Sequence, residues 1–451
     1  MRINLPPSVE QIIDMLTQAG YATYAVGGCV RDALLEKIPH DWDICTAATP
    51  DEMKQVFREY RVLNTGLQHG TLTVLMGNDQ YEITTFRVDG TYSDGRRPDS
   101  VAFVTNVEAD LSRRDFTINA MAYNPHVGLI DPFGGQQDLV ENIIRCVGNP
   151  DARFQEDGLR IMRAIRFASV LGFGIQTDTG ESIHRNKTLL DRIAKERIHV
   201  ELSKLLMGDG AKDMLLAYSD VLSQIIPQVG PCIGFEQHNP HHKFPVWEHT
   251  AEAVSYAPKD LVVRLTMLLH DIGKPETFFM DDKGIGHFYG HPEIGAELAN
   301  HILRDLKYDN DTIKSVTSLV EYHDVSIAPT SRSIRRWLNK LGNQRFAQLV
   351  EVKRADAMAQ ANSAEKLAAM DILDEKFHEV MEQQQCFSFK DLAVDGHDIM
   401  ELGIAQGHQV GNALRFALDQ VMEDRVPNEK EAILKLLKSK DFTIYQHGEN
   451  G

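Results

Sequence analysis

The sequence has little of what marks a secreted, membrane-bound or nucleic-acid-coating protein. Its five cysteines, Cys29, Cys45, Cys146, Cys232 and Cys386, are far apart and odd in number, with no Cys-x-x-Cys pair. That excludes a disulfide scaffold and a cysteine zinc site, and it fits a reducing cytoplasm. No apolar run nears the roughly 18 residues that a membrane span needs. Between Met1 and Gly20 no basic segment precedes an apolar one, so no secretory signal is expected. Positive charge is short as well: 47 Lys+Arg stand against 65 Asp+Glu, a formal net charge of −18. Such acidity argues against a general nucleic-acid coat, but it leaves room for one local basic groove. There is no internal repeat and no low-complexity segment. What remains is an ordinary globular composition, 43% apolar and 25% charged over 451 residues. That length suits about two to four domains.

The chain divides by pattern. Val9 to Ala19 has helical apolar spacing, and Gly20 is its stop. Tyr21 to Val26 reads as a short strand ending at Gly27-Gly28. Gly70 to Met76 and Tyr81 to Phe86 alternate as half-buried strands do, with a hairpin signal at Gly77-Asn78-Asp79. From Phe154 onward the pattern is almost all helical, with a His- and Pro-rich loop at 231–245. The expectation is an α+β fold: a mixed head over 1–148, then all-α modules over 149–230, 231–370 and 371–451.

The head carries the first chemistry. Gly27-Gly28-Cys29-Val30-Arg31-Asp32 follows a strand and opens a helix. Paired glycines let a phosphate approach the backbone, and Arg31 sits about one turn in. Alone, such a turn is more often just a turn. Asp41-Trp42-Asp43 comes next, and in an extended strand residues two apart share a face. Two carboxylates at one spot are costly without a cation between them, and Mg²⁺ is the hard cation that suits them. A bare Asp-x-Asp is more often a solvated acidic turn; the glycine turn upstream reverses that preference. Glu82, in a strand, either completes a two-metal site or makes a cross-strand salt bridge.

These residues carry a resemblance. Gly27 to Asp32 and Asp41 to Pro50 resemble the head of the class II tRNA nucleotidyltransferases, members of the polymerase-β-like superfamily. In the same order, Asp94 to Pro98 resembles the family's flexible loop. Arg113-Arg114-Asp115-Phe116-Thr117-Ile118-Asn119-Ala120 and Asp131 to Gly135 with Asp138 resemble its second and third motifs. Where the family often has Gly-Arg, this chain has Glu36-Lys37, outside the carboxylates. The resemblance implies that CCA is added to the tRNA 3′ end from CTP and ATP, without a nucleic-acid template. It implies that Asp41 and Asp43 hold catalytic Mg²⁺ with Glu82 as a candidate third carboxylate, and that Gly28, Arg31 and Arg114 bind the nucleotide.

Asp157 and Arg160 are three apart, hence neighbours on a helix. A carboxylate and a guanidinium side by side can read one Watson–Crick edge. The family resemblance gives this pair the selection of CTP and ATP. Mixed charges on a helix more often make only a salt-bridged solvent face. Arg163 is expected at phosphate or sugar, and Arg166 in a partly structural place. Lys195-Glu196-Arg197-Ile198 with Glu201 and Lys204 resembles the motif that braces this helix in the family. Residues 151–212 hold 11 Lys+Arg and nine Asp+Glu, which marks the RNA-facing neck.

His270-Asp271-Ile272-Gly273-Lys274 resembles the HD phosphohydrolase signature. His249 and Asp356 fit the upstream and distal ligand positions, and His291 and His323 suit a second ion. Imidazole with carboxylate suits Mn, Fe, Ni, Co or Zn without choosing among them. Lys274 is a candidate phosphate contact. His238, His241 and His242 read as a loop cluster, and His287 as a flanking residue. Residues 371–451 hold 16 Asp+Glu and eight Lys+Arg and resemble the family's tail, which touches the tRNA elbow.

Three other readings compete. One is a poly(A) polymerase, which shares the head but usually carries basic extensions. Another is an A-adding-only enzyme. The third makes HD hydrolysis the main activity and the head an RNA-docking module. Asp94 to Pro98 disfavours a CC-only enzyme. Expected partners are tRNA, CTP and ATP, with no membrane.

Overall fold

The computed structural model describes residues 3–67, 70–77, 79–90, 100–240, 242–361 and 363–440. Asp94 to Pro98 and His241 lie outside them. The chain forms two compact units. One is Met1–Ile233 with Ile302–Tyr308; the other is Gly234–His301 with Asp309–Gly451.

The first unit is built on a seven-stranded mixed sheet. Its order is Arg61–Gly66, Thr71–Met76, Asp79–Thr85, Ile44–Thr46, Thr23–Val26, Ala122–Asn124, Gly128–Ile130. Only Ile44–Thr46 beside Asp79–Thr85 is parallel; the other neighbours are antiparallel. The hairpin expected at residues 77–79 joins Thr71–Met76 to Asp79–Thr85, with Met76 opposite Asp79. Helix Pro7–Gln18 buries Val9, Ile12, Ile13 and Leu16. Their spacing puts them on one stripe, and each buried aliphatic side chain is worth about 2 kcal/mol. Beyond the sheet the unit is helical, and Leu159–Leu171 packs on Lys195–Leu206.

Two local details differ from the sequence reading. The strand after the Asp pair starts only at Ile44, so Asp41 and Asp43 lie in the segment leading into it. The template region is not one helix. Pro150–Glu156 ends before Asp157, whose φ of −144° is extended, and a new helix runs Leu159–Leu171. Asp157 accepts from the Leu159 N–H at 3.1 Å, an N-terminal cap in place of helix continuity.

The second unit is almost all α. Val246–Tyr256, Leu261–Leu269, Asn310–Tyr322 and Asn343–Ala359 enclose a core that includes Trp247, Leu269, Val316 and Phe346. A two-stranded ribbon, Phe279–Met280 with Gly286–His287, stands apart from these helices in sequence. A separate cluster at the chain's end centres on Ile399, Ala417 and Ile433.

Candidate functional site

Register places the acidic cluster. Ile44 pairs with Ile83, so the residues before them, Asp43 and Glu82, stand side by side where the two strands begin to run together. Asp41, Asp43 and Glu82 line one cleft with Trp42 and Tyr81. Among the described residues none of the three carboxylates has an ion-pair partner, so the salt-bridge alternative for Glu82 finds no support. Asp43 keeps solvent-exposed surface, yet desolvation by the protein around its carboxyl raises its pKa. Arg114 opposes that rise and Asp41 adds to it. A donor set of three carboxylates with no ion-pair partner among the described residues fits a hard divalent cation.

Behind the carboxylates is the glycine turn. Gly27 has φ +82°, and a Cβ there would stand 2.8 Å from Arg114 Nη1. Glycine is thus required by both backbone and space. Helix Gly28–Leu34 starts at this turn. It ends in a Schellman motif, with Glu36 N–H donating to Ala33 and Lys37 N–H to Asp32. Glu36 occupies the left-handed position of that motif, at φ +58°. This is where the family often has glycine, so the departure costs strain at a helix end and leaves the carboxylates untouched.

The expected nucleotide contacts are tightly held. Arg31 Nη1 donates to Asn119 Oδ1 at 2.7 Å, and its guanidinium lies 5.1 Å from the Phe167 ring. Arg114 and Arg113 converge on the buried Asp110. Arg163 donates from Nε to Asp115 at 2.8 Å. Arg166 donates to Glu201 at 2.8 Å and lies 3.6 Å over Phe167. Burial alone would raise the Asp115 pKa; Arg163, and then Arg160, outweigh it and hold it at about 2. In this structure Arg163 therefore grips protein, not an open phosphate position. Asp157 and Arg160 are also paired. Asp157 takes a two-pronged contact from Arg197, at 3.2 and 2.8 Å, and Arg160 donates to Glu156 and to the Arg113 carbonyl. Asn119, Asp115 and Phe167 organise the cluster. No sequence periodicity singles them out, because Asn119 meets Arg31 across 88 residues and Asp115 meets Arg163 across 48.

The second unit holds another cluster. His249, His270 and Asp271 form one ligand-spaced group; Asp271, His291 and His323 form a second. Asp356 joins the first, 3.0 Å from His249 Nε2. The hydrogen bonds fix the tautomers. The Nδ1 atoms of His270, His291 and His323 face the carbonyls of Met267, Phe288 and Val320 at 2.7, 2.8 and 2.7 Å. Those nitrogens must donate, so in the neutral ring each Nε2 presents a lone pair; for His270 burial would favour that form, but Asp271 outweighs it and raises the pKa. Yet His249 and His270 Nε2 are 3.2 Å apart, and those of His291 and His323 3.3 Å. Close-set imidazole nitrogens with buried carboxylates beside them are a donor set that can hold a cation. Burial, and then His270, lower the His323 pKa to about 3, which keeps its lone pair free. All six predicted ligands come together. Lys274 does not stand free for a phosphate: it is buried, 2.7 Å from Asp271 and 2.8 Å from Gln237.

Three residues here were not legible as site residues. His242 and His287 line the same cleft of about 500 Å³ as Asp271 and Asp356. Lys353 donates to the His323 carbonyl at 2.7 Å, and burial lowers its pKa to about 8. Their sequence surroundings carry no ligand-like spacing.

Comparison with known proteins adds the following. Residues 23–145 match the family model of the poly A polymerase head domain. Residues 172–232 match a probable RNA- and SrmB-binding site of polymerase A. Residues 289–437 match a model described as tRNA nucleotidyltransferase domain 2, putative. A CCA-adding enzyme of Levilactobacillus brevis is 36% identical over 96% of this chain and 98% of its own. The crystal structure of the Bacillus stearothermophilus CCA-adding enzyme in complex with CTP aligns at a TM-score of 0.74 and 29% identity, over 96% of this chain and 98% of that one. The Thermotoga maritima CCA-adding enzyme complexed with tRNA shares the fold, with a TM-score of 0.60 at 20% identity, over 97% of this chain and 99% of that one.

Proposed function

The chain belongs to the family of CCA-adding enzymes, and from that premise we propose that it adds CMP and AMP, taken from CTP and ATP, to the 3′ end of tRNA. The observation that carries this reading is the three-carboxylate cleft beside the Gly27-Gly28 turn. In each step the tRNA 3′ hydroxyl oxygen bonds to the α-phosphorus and pyrophosphate leaves. Asp41 and Asp43 would hold the divalent ion, Mg²⁺ in this reading, and the ion would supply positive charge against the triphosphate and the attacking oxygen. Glu82 is positioned to share that load. Gly28, Arg31 and Arg114 take the triphosphate side. Asp157 and Arg160 read the base, with Arg163 and Arg166 supporting the pocket. For that, Asp157 must exchange part of its contact with Arg197 for the base. Residues 1–148 are the head in this scheme, 149–230 the neck and 371–451 the tail. Among the described residues no helix is long and apolar enough to cross a membrane. The five cysteines are free and buried, which supports a cytoplasmic place. Transcripts ending before CCA, or after CC, are incubated with CTP and ATP separately and together. Completion of CCA on the shorter transcript is expected. Addition of A alone to the CC-ended one indicates an A-adding enzyme, and a long A tail on unstructured RNA a poly(A) polymerase.

The close-set imidazoles and carboxylates of this cluster favour a second activity. We infer that residues 231–370 are an HD-type metal-dependent phosphohydrolase module, with His249, His270, Asp271 and Asp356 around one ion and His291, His323 and the shared Asp271 around another. Mn, Fe, Ni, Co and Zn all suit this set. Metal analysis of the purified chain is expected to give about two transition ions, lost largely in His270→Ala. Equal metal content in the variant contradicts the assignment.

A further inference from the structure

Beside the histidine–aspartate cleft three rings gather on the ribbon, with Phe279 and Tyr289 exposed and His287 partly so. Phe279 pairs with His287 across the short ribbon, and Tyr289 follows two residues later. Phe279 and Tyr289 each lie nearly parallel to His287, and are tilted by 34° to each other at 5.8 Å. Phe279 and His287 are 5.1 Å apart at 24°, and His287 and Tyr289 are 5.4 Å apart at 10°. Tyr289 is 74% exposed and Phe279 47%. Their neighbours turn the other way: Phe288 is buried and packs on Phe278 at 5.5 Å. The ribbon thus sorts its aromatics by face, one set into the core and one into solvent. The outward set is also held still. Asp281 accepts from the Lys283 and Ile285 N–H groups and lies 3.0 Å from His287 Nε2, which fixes the turn and the ring together.

His287 and Tyr289 line the same cleft as Asp271, His291, His323 and Asp356. An exposed aromatic cluster beside a candidate metal-binding group can stack a nucleobase on its outer ring face. The remaining rim sets Glu293, Glu321 and Asp324 against Lys366, an excess of negative charge that disfavours a highly charged polyphosphate. We propose that Phe279, His287 and Tyr289 form a base-stacking platform, so that this cleft takes a nucleoside monophosphate group, free or at the end of an RNA, in preference to a phosphate without a base. The proposal rests on the HD reading of the cleft.

The test is calorimetric binding to the full chain loaded with Mn²⁺. The probes are AMP, ribose 5-phosphate and a trinucleotide with a terminal phosphate. Tyr289→Ala and Phe279→Ala are expected to weaken AMP binding about tenfold, and Tyr289→Trp to restore it. Ribose 5-phosphate binding is expected to stay within about twofold. The head is intact in every variant, so its own nucleotide site cancels in the comparison. Loss on AMP and trinucleotide alike supports a free nucleotide as sufficient ligand; loss on the trinucleotide alone supports an RNA end. Unchanged binding of both, or an equal loss on ribose 5-phosphate, overturns the platform. If ribose 5-phosphate and Mn²⁺ both bind but AMP binds no better, the platform falls and the HD reading stands. If neither binds, the HD reading falls and takes the platform with it.

Discussion

Asp115 shows how much rests on single contacts. It accepts from Arg163 and Asn119, and Asn119 in turn accepts from Arg31. One buried carboxylate thus ties the neck helix to the glycine-turn helix. Its folded pKa of about 2 lies below its ordinary 3.8. Stability from this depression is fully present above about pH 4 and is lost as pH falls through about 2. The shift corresponds to about 2 kcal/mol. Asp115→Asn is expected to lose at least that much at pH 7, because Arg163 keeps its charge and loses its partner. Urea unfolding of the variant should also show a shallower decline between pH 4 and pH 2. An unchanged acid limb contradicts this account. At this scale the sequence was informative where residues act in local motifs. Asp41, Asp43, His270 and Asp271 stand out by spacing. Asn119, His242 and Lys353 do not, since their partners are brought together only by folding.

Among the elements, the break between Pro150–Glu156 and Leu159–Leu171 matters most. A continuous helix would set Asp157 and Arg160 as neighbours on one face. Instead Asp157 is extended and caps the second helix, while Arg197 reaches it from Lys195–Leu206. Gly158 allows the break. A Cβ there would lie 3.0 to 3.3 Å from Leu189, so the chain passes close at this point. The sequence showed helical periodicity on both sides, and a glycine inside a helical pattern is tolerated often enough that the break was hidden. The hairpin before Asp79–Thr85 was legible because alternation and turn residues agreed. Arg197 is best described as a positioning residue. Arg197→Ala is expected to raise KM for CTP and ATP and to increase GTP and UTP use about tenfold, with tRNA affinity little changed. Steady-state kinetics with all four nucleotides checks it. A uniform loss of folded protein, with selectivity intact among the surviving molecules, contradicts the role.

Over the whole molecule, the acidity seemed at first to oppose a nucleic-acid partner. Its distribution resolves that. Part of the excess of Asp+Glu is the carboxylates of two clusters, one in each compact unit. The stretch 151–212 is near neutral, whereas 371–451 is acidic. The fold class was legible because the head alternates and the rest has helical spacing. The coincidence of six ligand groups in the second unit was legible only in part, as a doublet with candidates at a distance. The central claim is that the Asp41–Asp43–Glu82 cleft performs the nucleotide addition. The most direct test is Asp41→Ala assayed for CMP and AMP incorporation on tRNA lacking CCA, with tRNA binding measured on the same preparation. Incorporation should fall by at least about a thousandfold while tRNA affinity stays within about twofold. Incorporation at the unmodified rate contradicts the account.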